Sequence, residues 1–110
     1  MLPEALPQNA GDFFQKGLAA LESKQYQTAI KMIQAAIEQD RMEGANKGTS
    51  GRHLSFLGLA LVLASARSEE GLKMCEQAAK RDFFDADIFC NLGIVYMRSR
   101  QKGLAFEAFR

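Results

Sequence analysis

The sequence contains no tryptophan, and its 110 residues include only two cysteines and two prolines. The cysteines, Cys75 and Cys90, lie far apart within apolar patterns, a spacing that suits neither a zinc site nor a redox pair. Because free cysteine packs as a small apolar side chain, we predict two buried thiols. We expect no metal site and no cofactor.

An excess of charge of one sign is also lacking, with 14 Lys and Arg against 13 Asp and Glu. The resulting field is too weak to indicate nucleic acid or an anionic membrane as a partner. The longest uncharged apolar run, Leu54 to Ala66, is too short to cross a bilayer and is typical of a buried helix. Met1–Pro7 has two prolines and an acid where a secretory signal would need positive charge. We therefore expect a soluble, cytoplasmic protein without membrane insertion.

Apolar residues at helical spacing are what the sequence has in abundance. They recur from Phe13 to Leu21 and from Tyr26 to Ile37, and the polar Ser23–Gln25 separates these two predicted helices. The same spacing predicts four more helices: Leu54–Ser65, one capped by Ser68, one from about Asp85 to Arg98, and one from Gln101 onward. No stretch alternates with period two for long enough to be a strand. The sequence predicts an all-α protein of six helices in three antiparallel hairpins.

The predicted hairpins are copies of one another. The segment that begins at Leu54 aligns with the segment that begins at Phe89 at a shift of 35 residues. In the second helices, Gly71 follows Ala29 at a shift of 42, and Ala105 follows Gly71 at 34. A hairpin repeated in this way cannot bury its apolar face alone and stacks on its copies.

The third copy reads F-x2-L-G-x2-Y from Phe89 and then A-x3-F from Ala105. The second reads L-x2-L-G-x2-L from Leu54 and G-x3-C from Gly71, and the first is weaker, with Lys16 where the others have leucine. This pattern resembles the tetratricopeptide repeats, over roughly residues 12–110. The resemblance implies hairpins stacked as a right-handed α-solenoid, with small residues where the two helices of a hairpin cross.

The resemblance divides the chain into an N-terminal tail, residues 1–11, and a repeat domain, residues 12–110. The repeats cover about 12–41, 52–83 and 86–110, the last one incomplete, and a glycine-rich loop, 42–51, joins the first two. The proline that usually ends each repeat is missing. The second turn is predicted to hold one extra residue, since Gly58 to Gly71 spans 13 positions where Gly17 to Ala29 spans 12.

The resemblance also implies a function, because the first helices of such repeats line a concave groove that holds a segment of another protein. The nine positions that match this groove are Phe14, Leu18, Leu21, Ser55, Leu59, Val62, Cys90, Ile94 and Met97. None carries the Lys, Arg or Asn with which some family members grip a terminal carboxylate, so we predict an interaction scaffold for an apolar partner segment.

Several occupants of the groove stay open at this stage. The run from Leu54 to Ala66 is apolar nearly all round, so Leu59 and Val62 should need cover from something other than the chain's own hairpins. A partner's apolar helix or extended peptide would supply it. The alternatives are helices that follow in a longer protein, the N-terminal tail, or a second copy, and in the last case the chain is a self-assembly module.

An enzyme is not predicted. In the loop sequence GANKGTSG, Lys47 precedes Gly48 and a helix comes before the loop, whereas a nucleotide loop needs the reverse order after a strand. His53 stands alone at a helix start, where a solvated or capping role is expected instead of one beside a catalytic cysteine. The acids Glu69, Glu70, Asp82 and Asp85 lie at helix starts, where the helix dipole favours carboxylates.

The basic residues Arg98, Arg100 and Lys102 are predicted to lie on the last turn, exposed to solvent. No aromatic side chains alternate with them to stack bases, so they do not indicate a nucleic-acid site.

Overall fold

A computed structural model describes residues 9–44 and 50–101, which fold into five α-helices without a strand. The helices are α1 (Ala10–Glu22), α2 (Tyr26–Glu43), α3 (Gly51–Leu63), α4 (Ser68–Arg81) and α5 (Ala86–Gln101). The all-α prediction is confirmed over these residues, and none of the five helices is long and apolar enough to cross a membrane. The predicted sixth helix after Gln101 and half of the glycine-rich loop, residues 45–49, lie outside the described residues.

The turns of the first two hairpins are built alike. In each, the second residue after the helix has a left-handed backbone, with φ of 61° at Lys24 and 57° at Ser65. The next N–H then reaches a carbonyl five residues back: Gln25 donates to Ala20 at 2.8 Å, and Ala66 donates to Leu61 at 3.0 Å. This pattern ends a helix by satisfying its last carbonyls, so the internal repeat extends from the helices into the turns.

The second turn is one residue longer than the first, as the repeat alignment predicts. The extra residue is Arg67, which has φ of 52° and precedes α4 without a side-chain capping bond. Its carbonyl accepts from Gly71 N–H at 3.0 Å, so Ser68 is already inside the helix. The prediction that Ser68 caps α4 is therefore wrong, because the longer turn moves the cap position back to Arg67.

The helices α2 and α5 are longer than predicted. Met42 and Glu43, assigned to the loop, complete α2, where side-chain pairs one turn apart join Arg41 to Glu38 at 2.7 Å and Gln39 to Glu43 at 2.9 Å. At the other end of the loop, α3 already begins at Gly51. Residues 99–101 continue α5 beyond the predicted end, so Arg98 and Arg100 lie on a helix and not on a turn, and Lys102 lies outside the described residues.

The core is built around α3, which packs against each of the other four helices. One buried cluster joins α1, α2 and α3, and a second joins α3, α4 and α5. A third lies between α4 and α5 around Ile88. The central position explains why α3 is apolar nearly all round, and the prediction of a buried helix from Leu54 onward is confirmed.

Glycines mark the closest approaches of paired helices. A Cβ atom on Gly58 would lie 2.5 Å from the Gly71 carbonyl oxygen and 2.7 Å from Cys75 Sγ, so α3 and α4 meet at these two glycines. In the first hairpin, a Cβ on Gly17 would lie 2.6 Å from Ile33 Cγ1. Small residues at the crossings are therefore a property of both described hairpins, as predicted.

Candidate docking face on the fifth helix

The nine predicted groove residues fall into three different environments. On α1, Phe14 is buried while Leu18 and Leu21 are half-buried against the core. On α3, Ser55, Leu59 and Val62 are all buried. On α5, Cys90, Ile94 and Met97 are all exposed. The nine residues do not share one open surface, and only the three on α5 are free to meet a partner.

The chain itself covers the three α3 positions. Leu59 and Val62 share a buried cluster with Cys75 of α4 and Val95 of α5, so the expectation that they need cover from outside the chain is wrong. The sequence pattern shows that α3 is apolar on several sides. It does not show that α5 packs directly against α3 and takes one of those sides.

One face of α5 is held against α3 and α4 by buried and polar contacts. Asn91 Nδ2 donates to Ser55 Oγ at 3.0 Å, and both side chains are buried. One turn further, Val95 is fully buried, and the Tyr96 hydroxyl donates to Glu76 Oε2 at 2.7 Å. Burial of the hydroxyl is the main cause, and this hydrogen bond the second, that raises the pKa of Tyr96 to about 12. These contacts set the rotation of α5 about its axis.

The start of α5 is tied to the start of α3. Asp85 Oδ1 accepts from the backbone N–H of Asp87 at 2.9 Å and of Ile88 at 3.4 Å, which caps the helix. Arg52 Nη1 contacts Asp87 Oδ2 at 2.7 Å and Asp85 at 3.4 Å, and the hydrogen bond to Asp87 raises the Arg52 pKa. The guanidinium also lies 5.5 Å from the centre of the Phe56 ring. The predicted helix-start role is therefore confirmed for Asp85 and wrong for Asp82, which is the C-cap residue of α4.

The opposite side of α5 is apolar and exposed. This α5 outer face comprises Phe89, Cys90, Gly93, Ile94 and Met97, and the exposed fractions are 46% for Phe89, 36% for Ile94 and 61% for Met97. Among the residues that the structure describes, a Cβ atom on Gly93 would meet nothing within 4 Å, whereas the aligned Gly17 and Gly58 are crossed by another helix. No described helix therefore crosses the outer face at Gly93.

The two cysteines differ sharply. Cys75 is buried, its thiol donates to the Ser55 carbonyl at 3.3 Å, and burial raises its pKa to about 12. Cys90 is exposed on the α5 outer face, so the prediction of a buried thiol is confirmed for Cys75 and wrong for Cys90. The sequence placed both in helical apolar patterns, and only the packing of α5 shows which side of the pattern faces inward.

Sequence reasoning missed an exposed aromatic pair in the turn between α4 and α5. The rings of Phe83 and Phe84 lie 4.2 Å apart between centroids, and the residues are 60% and 89% exposed. The sequence signal for this pair was two adjacent phenylalanines between two aspartates.

The prediction of a solvated side chain for His53 is wrong. Its side chain is 12% exposed, its ring lies 4.5 Å from that of Phe14, and Nδ1 is 2.9 Å from Asp40 Oδ2. The N–H direction is poorly aligned with this oxygen, so the buried Nδ1 makes no well-formed hydrogen bond. The extra length of α2 explains the contact, since it carries Asp40 to the start of α3. Within residues 9–44 and 50–101, no group of three or more His, Cys, Asp or Glu side chains could hold a metal ion.

We expect acidification to destabilise the fold through His53. Burial lowers the His53 pKa below its ordinary value of 6.5, and Asp40 opposes this only in part. The unfolded chain then binds more protons than the folded chain, so stability is lost as the pH falls through about 6.5 towards the lower folded pKa. Urea unfolding measured across this pH range should show that the free energy of unfolding falls more steeply with acidification for the wild-type protein than for His53→Gln. Equal slopes would contradict the attribution of this loss to His53.

Lys47 and Gly48, whose order argues against a nucleotide loop, lie outside the described residues.

Comparison of the chain with protein-family models, curated proteins and solved structures finds no match in any of the three.

Proposed function

We propose that this chain is a tetratricopeptide-like interaction module that docks an apolar helical segment of a protein on its α5 outer face. The support for a repeat module is internal. The two described hairpins share their turn geometry, their closely crossed glycines and a spacing of 41 residues between Lys24 and Ser65 and between Gly17 and Gly58. The helix α5 continues this series as the first helix of a third unit.

The open space at Gly93 is the observation that carries the proposal. At the equivalent position of α3, the neighbouring helix brings Gly71 so close that the two backbones touch. A docked helix would cross at Gly93 with a small residue of its own and pack its larger apolar side chains against Phe89 and Met97, one turn on either side. This is the helix-in-groove mode of recognition, in which apolar contacts supply most of the affinity.

Three of the polar side chains around this face bond within the chain and do not indicate chemistry on a substrate. Asn91 bonds Ser55, Tyr96 bonds Glu76, and Asp87 pairs with Arg52. The proposed role is binding, and the residues that carry it are the five of the α5 outer face.

The test uses a charge on the face and a matched charge away from it. We expect Ile94→Glu to weaken capture of partner proteins at least about tenfold, because a carboxylate would be buried without a counter-charge. Met42→Glu, at a 73% exposed position on α2, should leave capture unchanged. Circular dichroism would show that both variants keep their helices. Partner capture that survives Ile94→Glu would contradict the proposal.

Cys90 provides an independent footprint of the docked segment. A thiol reagent should modify exposed Cys90 quickly and buried Cys75 slowly, since the raised pKa of Cys75 leaves almost no thiolate at neutral pH. Binding of a partner at the α5 outer face should slow Cys90 modification. An unchanged rate in the complex would place the partner elsewhere.

A further inference from the structure

Four of the five residues of the α5 outer face fall into two pairs about one midpoint of the face, which lies between Gly93 and Ile94. Gly93 and Ile94 form the inner pair. Cys90 and Met97 lie at equal distances from this midpoint, and seven residues are close to two helical turns, so both lie along one line of the exposed face. A surface of this kind can contact a copy of itself related by a two-fold axis, because each contact then occurs twice.

An antiparallel pairing of two such helices brings the two open glycines together. A two-fold axis at the midpoint keeps each flank of the face on its own side of the pair, so Gly93 lies beside Gly93 of the second copy and Ile94 beside Ile94. Met97 lies at the level of Cys90 of the second copy, and both are exposed. The close approach allowed at Gly93 repeats the arrangement already formed within the chain by Gly58 and Gly71.

The charges beside this face favour the same orientation. Asp87 and Arg98 are both exposed, and they lie on one flank of α5, about three turns apart. Antiparallel pairing brings the Asp87 end of each helix beside the Arg98 end of the other, at a separation of about half a turn along the axis. A parallel two-fold pairing would place the two flanks on opposite sides of the helix pair, where these charges do not meet. The opposite charges therefore select the antiparallel arrangement.

We propose that the occupant of the α5 outer face is a second copy of this chain, paired antiparallel through α5 to form a symmetric dimer. The inference rests on the proposed function and identifies the partner that docks at the same face. A single pair of helices buries an area at the low end of specific interfaces, so the dimer dissociates on dilution.

The first experiment measures molecular mass against concentration by light scattering. We expect the wild-type chain to pass from 12.2 kDa to twice that mass as its concentration rises. Ile94→Glu should stay monomeric throughout, because two carboxylates would meet at the axis, and Met42→Glu should dimerise as the wild type does. A wild type that is monomeric at all concentrations, or an Ile94→Glu dimer, would overturn the inference.

The second experiment tests the register with Met97→Cys in the full chain. Positions 90 and 97 of one helix are about 10.5 Å apart, too far for a disulfide within the chain. Across the antiparallel dimer they face each other, so mild oxidation should give a covalent dimer linked through Cys90 of one copy and position 97 of the other. Phe84→Cys, at an 89% exposed site outside the face, is the control. Links between two equivalent positions, or no excess over the control, would overturn the antiparallel register.

Two outcomes separate this inference from the proposed function. A wild type that never dimerises, combined with a different protein whose capture is lost in Ile94→Glu, would overturn the second copy as occupant and leave the docking face standing. Faster Cys90 modification in dilute Phe109→Glu would show that the chain's own C-terminal residues cover the face, and that result would overturn both.

Discussion

Gly58→Ala is expected to lower the free energy of unfolding by about 1–3 kcal/mol, whereas Gly93→Ala should raise it by about 0.5–1 kcal/mol. Both glycines lie inside helices, so alanine gains the same helix propensity at each. At Gly58 the added methyl group would meet the Gly71 carbonyl oxygen at 2.5 Å and Cys75 Sγ at 2.7 Å, and backbone cannot move aside cheaply. At Gly93 it meets no atom within 4 Å in the described part of the chain.

Urea unfolding of the wild type and both variants, at a concentration where the chain is monomeric, measures the two changes. The comparison is matched because Gly58 and Gly93 occupy the same place in successive repeats. A change of the same sign at both sites would mean that the α3–α4 crossing is looser, or Gly93 more crowded, than the structure shows.

Asn91→Asp is expected to lower the free energy of unfolding by about 2–4 kcal/mol at neutral pH. It should destabilise the α3–α5 contact more than Asn91→Ala does. Asn91 is 4% exposed and donates to Ser55 Oγ, which is fully buried. A carboxylate there would be buried without a positive partner. Asn91→Ala loses the hydrogen bond and brings no charge, so its cost should be about 1–2 kcal/mol.

The pH dependence distinguishes these two causes. Burial would raise the pKa of the new carboxyl above the ordinary aspartate value of about 3.9. Relative to the wild type, Asn91→Asp should therefore be least destabilised below about pH 3.9, the ordinary aspartate pKa. It should lose stability as the pH rises through the higher pKa of the buried carboxyl in the folded protein. The deficit of Asn91→Ala should not vary with pH. A pH-independent deficit for Asn91→Asp would show that water reaches this site.

The number and order of the described helices could be predicted because their signals are local. The period of the apolar residues, the glycines at the crossings and the polar Ser23–Gln25 all act within a hairpin. The extra turn residue before Gly71 was also predictable from spacing alone. Helix ends were not, since Ser68 can cap a helix in isolation, but the left-handed Arg67 decides where α4 begins.

The candidate site was predictable only in part. Groove positions carried over from the repeat pattern named Cys90, Ile94 and Met97, which the structure exposes, together with Leu59 and Val62, which it buries. The pattern could not distinguish these two groups because apolar residues at helical spacing look the same in the sequence whether or not a neighbouring helix covers them. The role of each residue depends on which neighbour is present.

The sequence by itself determined an all-α chain with closely crossed hairpins and a central apolar helix, because periodicity, turn chemistry and glycine spacing act over a few residues. Only the tertiary structure decided that α5 covers α3, that Asn91 and Ser55 pair in the core, and that Gly93 faces outward. Those features depend on the rotation of α5 about its own axis. Contacts with residues some 20 to 36 positions away, such as Glu76 and Ser55, set that rotation.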